Sequence, residues 1–401
     1  MRARFASLAS SIAAVLLIFS SGSFSSPQHS QSNSLHKQVR LPPARQLDKG
    51  IRWQRDSSTG ELSIVVAGEN GITGAAPDSA PAAALKATTQ MVPVTCIVST
   101  AQGEPVPGLR REDFKLYEDS APQPIAYFDA STQPASVALV IDASPSVLRD
   151  SAAMQKAAEA LIDSLAPLDQ AAVVDFSAHT YLQIPFSDQR ELVHRAVARV
   201  DPRELLADTG GSNIYRAVYL AARELFPGGT GRKAIVLLTD GQDSGLGLTL
   251  DPSTMSPQRG ESANRLTFDD VARLLAQQDI QLFAVSTENR PKIMTPDWLV
   301  SHEDATLVNA SARTNGIPPY TLFLAELVRR AGGQLYFLNE TDTAADTFRQ
   351  IAEKIRAQYT LGFYPGGEAA RPGWHSLRVV LVVQPGARAS HRAAYYVPAA
   401  Q

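Results

Sequence analysis

The chain has 401 residues, 44% of them hydrophobic, so it can bury a full core and leave room for a second, smaller module. Its formal net charge of −3 is spread without blocks, which offers nucleic acid no electrostatic footprint. Cys96 is the single cysteine, which excludes an intramolecular disulfide and a cysteine-built zinc site; the seven histidines are scattered, with no helical H-x-x-x-H pair.

Residues 1–23 read as a signal peptide. Arg2 and Arg4 supply the positive start, Ile12 to Phe19 the apolar centre, and Ser21-Gly22-Ser23 a small-residue cleavage site. The apolar run is short for a bilayer span, so the expected product is exported, periplasmic or extracellular, with no stable membrane span after cleavage. An uncleaved anchor is the alternative. Residues 24–88, rich in Ser, Gln, Ala, Pro and Gly, are expected to be low-complexity or disordered linker. Within them, Ile51–Gln54 and Leu62–Val66 flank Ser58-Thr59-Gly60 as one marginal hairpin.

Residues 89–134 hold three short strand patterns, Val92–Val98, Phe114–Glu118 and Ile125–Phe128, too few to bury both faces alone. Residues 358–398 hold three more: Tyr359–Tyr364, Trp374–Val383 and Ala393–Val397. The two groups are expected to pair into one flanking β-sandwich, with residues 135–357 inserted between them.

The inserted part alternates strand and helix, the signature of a doubly wound α/β fold with a mostly parallel sheet. Val137–Ile141, Ala171–Phe176, Ala234–Leu238, Gln281–Val285 and Gln334–Leu338 read as buried strands. Leu182–Phe186 contains Pro185, which marks one antiparallel edge strand. Met154, Ala157, Ala158, Leu161, Ile162 and Leu165 share a helical face, with Asp150 or Ser151 as cap.

The first buried strand ends in Asp142, Ser144 and Ser146, three oxygen-bearing side chains just past its carboxyl end, where open parallel sheets bind ligands. One carboxylate with two hydroxyls suits a hard cation, Mg²⁺, Mn²⁺ or Ca²⁺. The competing account is a turn in which these side chains cap backbone groups. Two further boundaries carry small oxygen donors: Gly210-Gly211-Ser212-Asn213, opening a helix, and Thr239-Asp240-Gly241, ending a strand. If the strands before Asp142 and Asp240 are neighbours, two carboxylates converge and repel unless a cation lies between them. The hydroxyls of Ser144, Ser146 and Ser212 would add neutral ligands.

This pattern resembles the metal-ion-dependent adhesion site of the von Willebrand factor A domain. D-x-S-x-S falls on Asp142, Ser144 and Ser146, the family's loop threonine on Ser212, and its later aspartate on Asp240. Serine for threonine keeps the hydroxyl and loses the methyl. Val106–Phe114 and Tyr359–Pro365 also resemble the exported von Willebrand factor A-related acidobacterial domain group. The resemblance implies a non-enzymatic module that binds a protein or glycan ligand offering a carboxylate to the metal.

The two longest loops, about 242–266 and 287–319, follow parallel strands and should rim the metal, with Asn213, Gly241 and Asp243 as rim residues. Asp243, Glu261, Glu288, Glu303 and Asp304 are the acidic residues there, solvated surface being the plainer account of each. Asn309-Ala310-Ser311 and Asn339-Glu340-Thr341 fit the glycosylation pattern by chance. No catalytic residues are assigned: no G-x-S-x-G elbow or Walker loop occurs, and no histidine is placed as a base near Asp142. The alternatives are a structural envelope protein with a vestigial site, and a metal-dependent hydrolase. A dinucleotide site is opposed by the glycine-free turn after the first strand.

Overall fold

A computed structural model describes residues 40–398 except 58–60, 67–90, 102, 132, 203–210, 228–230, 247–248, 251–256, 259–265, 289–293, 295–316, 339–343, 366–370 and 384–385. The signal segment, Gly210, Glu261, Glu303, Asp304 and both glycosylation patterns lie outside the described residues. In chain order, β1 (Arg45–Gln46) precedes β2 (Ile51–Arg55) and β3 (Leu62–Val66). Then come β4 (Val92–Ser99), β5 (Phe114–Glu118), β6 (Ala121–Gln123), β7 (Tyr127–Asp129) and β8 (Ala135–Asp142). The middle runs α1 (Ser151–Ser164), β9 (Gln170–Phe176), β10 (Thr180–Ser187), α2 (Arg190–Arg199), α3 (Ile214–Leu225) and β11 (Arg232–Thr239). There follow a two-strand loop ribbon, β12 (Thr249–Leu250) with β13 (Pro257–Gln258), then α4 (Phe268–Gln277) and β14 (Gln281–Ser286). The chain continues through α5 (Pro319–Arg330), β15 (Leu335–Phe337) and α6 (Ala344–Arg356) to β16 (Gln358–Phe363), β17 (Gly373–Leu381), β18 (Arg388–His391) and β19 (Ala394–Val397).

The central sheet runs β1-β10-β9-β8-β11-β14-β15. The strands from β9 to β15 are parallel, and β10 is antiparallel to both neighbours. Strand β8 is apolar and buried on both faces because helices cover both. Helices α3, α4 and α5 pack one side, around Val218, Leu237 and Leu327. Helices α1, α2 and α6 pack the other, around Leu161, Val193 and Ile351. The expected face of α1 is buried, but its cap is not as expected. Asp150 makes no side-chain cap hydrogen bond, and the Ser151 hydroxyl donates to Leu148 O at 2.9 Å instead.

Strand β10 was to be the edge, and it is covered. Arg45 and Gln46 pair with Leu182 and Tyr181, short of Pro185, so the proline still faces no ladder partner from β1. This belongs to a larger departure: residues expected as linker are built into the α/β layer. β2 and β3 pair from Ile51↔Val66 to Arg55↔Leu62, and Leu47 and Ile64 enter the core on the α3–α4 side. The alternation of Ile51 and Trp53 opposite Leu62 and Ile64 gives the hairpin one apolar face. Trp53 meets Tyr219 edge-on at 5.5 Å, and Arg55 grips both carboxylate oxygens of the buried Asp270 at 3.1 and 2.6 Å.

Two further antiparallel sheets, β18-β4-β16-β7 and β19-β17-β5-β6, draw strands from both sides of the α/β part and enclose a common core. The two flanking motifs lock together inside it. The Tyr359 hydroxyl donates to Val106 O at 2.7 Å and accepts from Leu109 N at 3.2 Å, while its ring packs on Phe114. Arg232 ties the junction, donating to Ser131 O just before β8 and to Gln358 O at the start of β16. Among the described residues no helix is long and apolar enough to cross a membrane.

Candidate metal centre

Strand order fixes the place. The chain goes from β8 to β9 on one side and then to β11 on the other, so the order reverses between β8 and β11. Such a reversal is where open α/β sheets place a ligand crevice, at the carboxyl ends of the strands. Leu238 is in register with Ile141, which sets Thr239 level with Asp142. The two carboxylates expected to converge therefore leave adjacent strands.

Asp142 is 1% exposed. One carboxylate oxygen accepts from Ser144 N at 2.9 Å. The other accepts from Ser212 Oγ at 3.3 Å and from Thr239 Oγ1 at 2.6 Å. Burial pushes the Asp142 carboxyl up to about 6, and the charge of Asp240 adds to the rise, against the hydrogen bonds from Ser144 and Thr239. Ser144 Oγ lies 3.0 Å from Ser146 Oγ, with Ser144 buried and Ser146 exposed. Asp240 is buried, and one of its oxygens accepts from Gln242 N at 2.9 Å. Asp142, Ser144, Ser146, Ser212 and Asp240 are thus linked by contact or charge at one pole.

The loop bearing Ser212 is clasped by the one after Asp240. Ser244 N and Ser244 Oγ donate to Ser212 O at 2.8 and 3.0 Å, and Ser212 N donates to Ser244 Oγ at 2.9 Å. Gly211 has φ of +77°, and a Cβ there would fall 2.2 Å from Ser244 Oγ, so the clasp requires glycine. Ser244 is a contributor that the sequence did not single out, and Thr239 was named only as part of the boundary with Asp240, not as a partner of Asp142. The aligned ends of two parallel strands were the available signal for Thr239.

The rim residues divide by role. Asn213 is buried, its amide donating to Ala178 O at 2.8 Å, which fixes the loop rather than facing a ligand. Gly241, at φ of +87°, lies against the Tyr320 ring, where a Cβ would sit 3.4 Å from Cδ2. Asp243 turns inward. Its carboxylate accepts from Leu246 N at 2.8 Å, near the amides of Gly245 and of Ile214 and Tyr215 at the start of α3. Burial raises its carboxyl, and those amides oppose the rise. Glu288 is half-buried and accepts from Gln242 Nε2 at 3.3 Å, beside the site.

The donor set fits a hard divalent cation: two carboxylates, three hydroxyls, and no sulfur or imidazole. Among the described residues no group of three or more His, Cys, Asp or Glu could hold a metal, so hydroxyls are required to complete this set. Two buried carboxylates, one already pushed up to about 6, are what a cation would relieve.

Residues 137–242 match the family model of the von Willebrand factor type A domain. A search of curated proteins finds no match. Among solved structures the chain is similar to the conserved hypothetical protein BatB from Bacteroides thetaiotaomicron, at 18% identity and a TM-score of 0.38, over 55% of this chain and 98% of that one. It is similar to proximal thread matrix protein 1 from the mussel byssus, with its zinc-occupied MIDAS motif, at 16% identity and a TM-score of 0.38, over 58% and 48%. It is also similar to the vWF domain of the type V pili tip protein Mfa5 from Porphyromonas gingivalis, at 11% identity and a TM-score of 0.38, over 56% and 96%. These likenesses are weak, and the family match rests on residues 137–242.

Proposed function

We propose, from a von Willebrand factor type A domain over residues 137–242, that this protein is a divalent-cation-dependent binding module acting outside the cytoplasm. Asp142, Ser144, Ser146, Ser212 and Asp240 would hold Mg²⁺ or Mn²⁺. The cation, when bound, supplies an electrophilic position for a carboxylate from a protein or glycan partner. Within the chain, Thr239 and Ser144 N orient the Asp142 carboxylate, and Ser244 holds the backbone that carries the Ser212 hydroxyl. In this reading residues 135–357 are the binding domain, and the strands of 89–134 and 358–398 are its mount.

The observation that supports this most is the meeting of Asp142, Ser212 and Asp240, from three distant parts of the chain, at one pole of the sheet. Calorimetric titration with Mn²⁺ and Mg²⁺ tests it. Wild type should bind one equivalent, and Asp142→Ala and Asp240→Ala should each lose at least tenfold in affinity. Equal heats for wild type and Asp142→Ala would sink the reading in favour of a structural protein with a vestigial site. Capture of a partner from envelope extract, abolished by EDTA, would then identify the ligand.

A further inference from the structure

The segment that covers the edge of the central sheet also reaches the metal pole. Strand β10 begins at Thr180 beside Phe176, at the same carboxyl end from which Asp142 emerges. Leu47 N donates to Thr180 O at 2.7 Å, which brings Asp48 over that pole. The Asp48 side chain is 5% exposed and gathers several donors. One oxygen accepts from Gln46 Nε2 at 3.0 Å and Thr180 N at 3.5 Å; the other faces His179 Nδ1 at 3.0 Å and Arg216 Nη1 at 3.4 Å.

Those partners hold the loop of Ser212. His179 O accepts from Ser177 N at 2.9 Å, closing the turn between β9 and β10. That turn grips Asn213 twice: Asn213 N donates to Ser177 O at 3.0 Å and Asn213 Nδ2 to Ala178 O at 2.8 Å. Arg216 lies in the first turn of α3, directly after Asn213. Asp48 therefore bridges the two elements between which Ser212 is held, and Ser212 Oγ is the hydroxyl that donates to Asp142.

We infer that Asp48 is a positioning residue for the metal pole and that the segment Arg45–Asp48 is a built-in regulator of it. Peeling Arg45–Asp48 away from β10 frees His179 and Arg216, loosens Asn213, and withdraws Ser212 from its place beside Asp142. A pull or a partner acting on this segment lowers cation affinity without touching a metal ligand. The inference rests on the cation-binding reading above, but its structural half does not.

The test uses the full mature chain and Mn²⁺ as probe. Asp48→Ala should weaken Mn²⁺ binding about tenfold, and Asp48→Asn, which keeps the shape and loses the charge, by an intermediate factor. Arg55→Ala is the comparison, since it loosens the hairpin that follows, at its Asp270 contact and away from the Ser212 loop; it should change Mn²⁺ affinity less than twofold. Hydrogen exchange is read in parallel. The amides of Ser177 and Asn213 should exchange at least tenfold faster in Asp48→Asn and as in wild type in Arg55→Ala. Wild-type affinity in both Asp48 variants would overturn the proposal, as would equal weakening by Arg55→Ala and Asp48→Asn. If wild type itself binds no Mn²⁺, the cation reading fails; unchanged exchange at Ser177 and Asn213 in that case overturns the coupling as well, and faster exchange upholds it.

Discussion

Asp142 owes its state to burial, which its three hydrogen-bond donors do not offset. Ser144 N, Ser212 Oγ and Thr239 Oγ1 all donate to its carboxylate, yet burial and Asp240 prevail and the carboxyl is pushed up to about 6. The opposite balance holds at His375 in the flanking sheets. Burial pulls this imidazole down, but hydrogen bonds to Arg371 O at 2.8 Å and Asp119 at 2.7 Å, with the charges of Asp119 and Glu118, hold it above its usual value. A base with a raised folded-state pKa stabilises fully below the unfolded value of 6.5 and loses that contribution as pH rises through the folded value. Wild type should therefore lose stability between pH 6 and pH 8, by about 1 kcal/mol or less given the exposure of Asp119. His375→Gln should reduce that slope, leaving the part that Asp142 and Asp175, both pushed up to about 6, contribute as they ionise, as read by denaturant midpoints at the two pH values. An unchanged slope would place its origin elsewhere. At this scale the sequence was informative where residue type and strand end coincide, as at Asp142, Ser144 and Asp240. Asp243 was misleading, because an acidic residue just past a strand reads alike whether it faces solvent or turns inward to hold its own loop at Leu246 N.

At the scale of elements, α5 shows how tightly the sheet is joined. The helix ends at Gly332 and Gly333, whose amides donate to Arg329 O and Val328 O. A Cβ on Gly333 would lie 1.8 Å from Leu282 O, in the backbone of β14. Neither backbone can yield without breaking the ladder from β14 to β11 and β15. Gly333→Ala should cost about 3 kcal/mol or more, read as a drop in Tm of roughly 4 °C or more; a drop under about 1 °C would show that the β14 backbone gives way. Long periodic elements such as α1, β8 and β11 were legible because burial on one or both faces writes itself into apolar spacing. β1 was not, because two residues carry no period, and its role comes from an open edge formed far away in the chain. The hairpin β2–β3 was visible as alternation. Its docking was hidden, since Trp53 and Arg55 find Tyr219 and Asp270 only after α3 and α4 are in place.

Across the whole molecule, the α/β layer and the flanking sheets meet through buried charge. Arg392 is buried, donating to Ala276 O on α4 and to Pro93 O on β4, with Asp279 at 3.6 Å. Asp279 in turn accepts from Thr95 Oγ1 at 2.6 Å. Removing the guanidinium takes a charged donor from Ala276 O and Pro93 O and a positive charge from beside Asp279, so Arg392→Met should cost about 1.5–3 kcal/mol. It should also separate one cooperative unfolding transition into two, observed by calorimetry. Retention of a single transition near the wild-type Tm would mean that the layers are coupled by apolar contact alone. The insertion itself could be anticipated from strand patterns on both sides of an α/β run, since neither group could bury its own faces. The contacts that join the layers could not, because Arg392 and Asp279 look like any surface pair until the sheets stack.

The junction carries a mechanical consequence. The chain leaves the flanking sheets just before β8 and re-enters them at β16, and Arg232 fastens both points by donating to Ser131 O and Gln358 O. Tension applied at the opposite pole therefore divides between two roots instead of unravelling one. Where the flanking sheets are the held end, it reaches β16, which is hydrogen-bonded on both sides, to β4 and to β7.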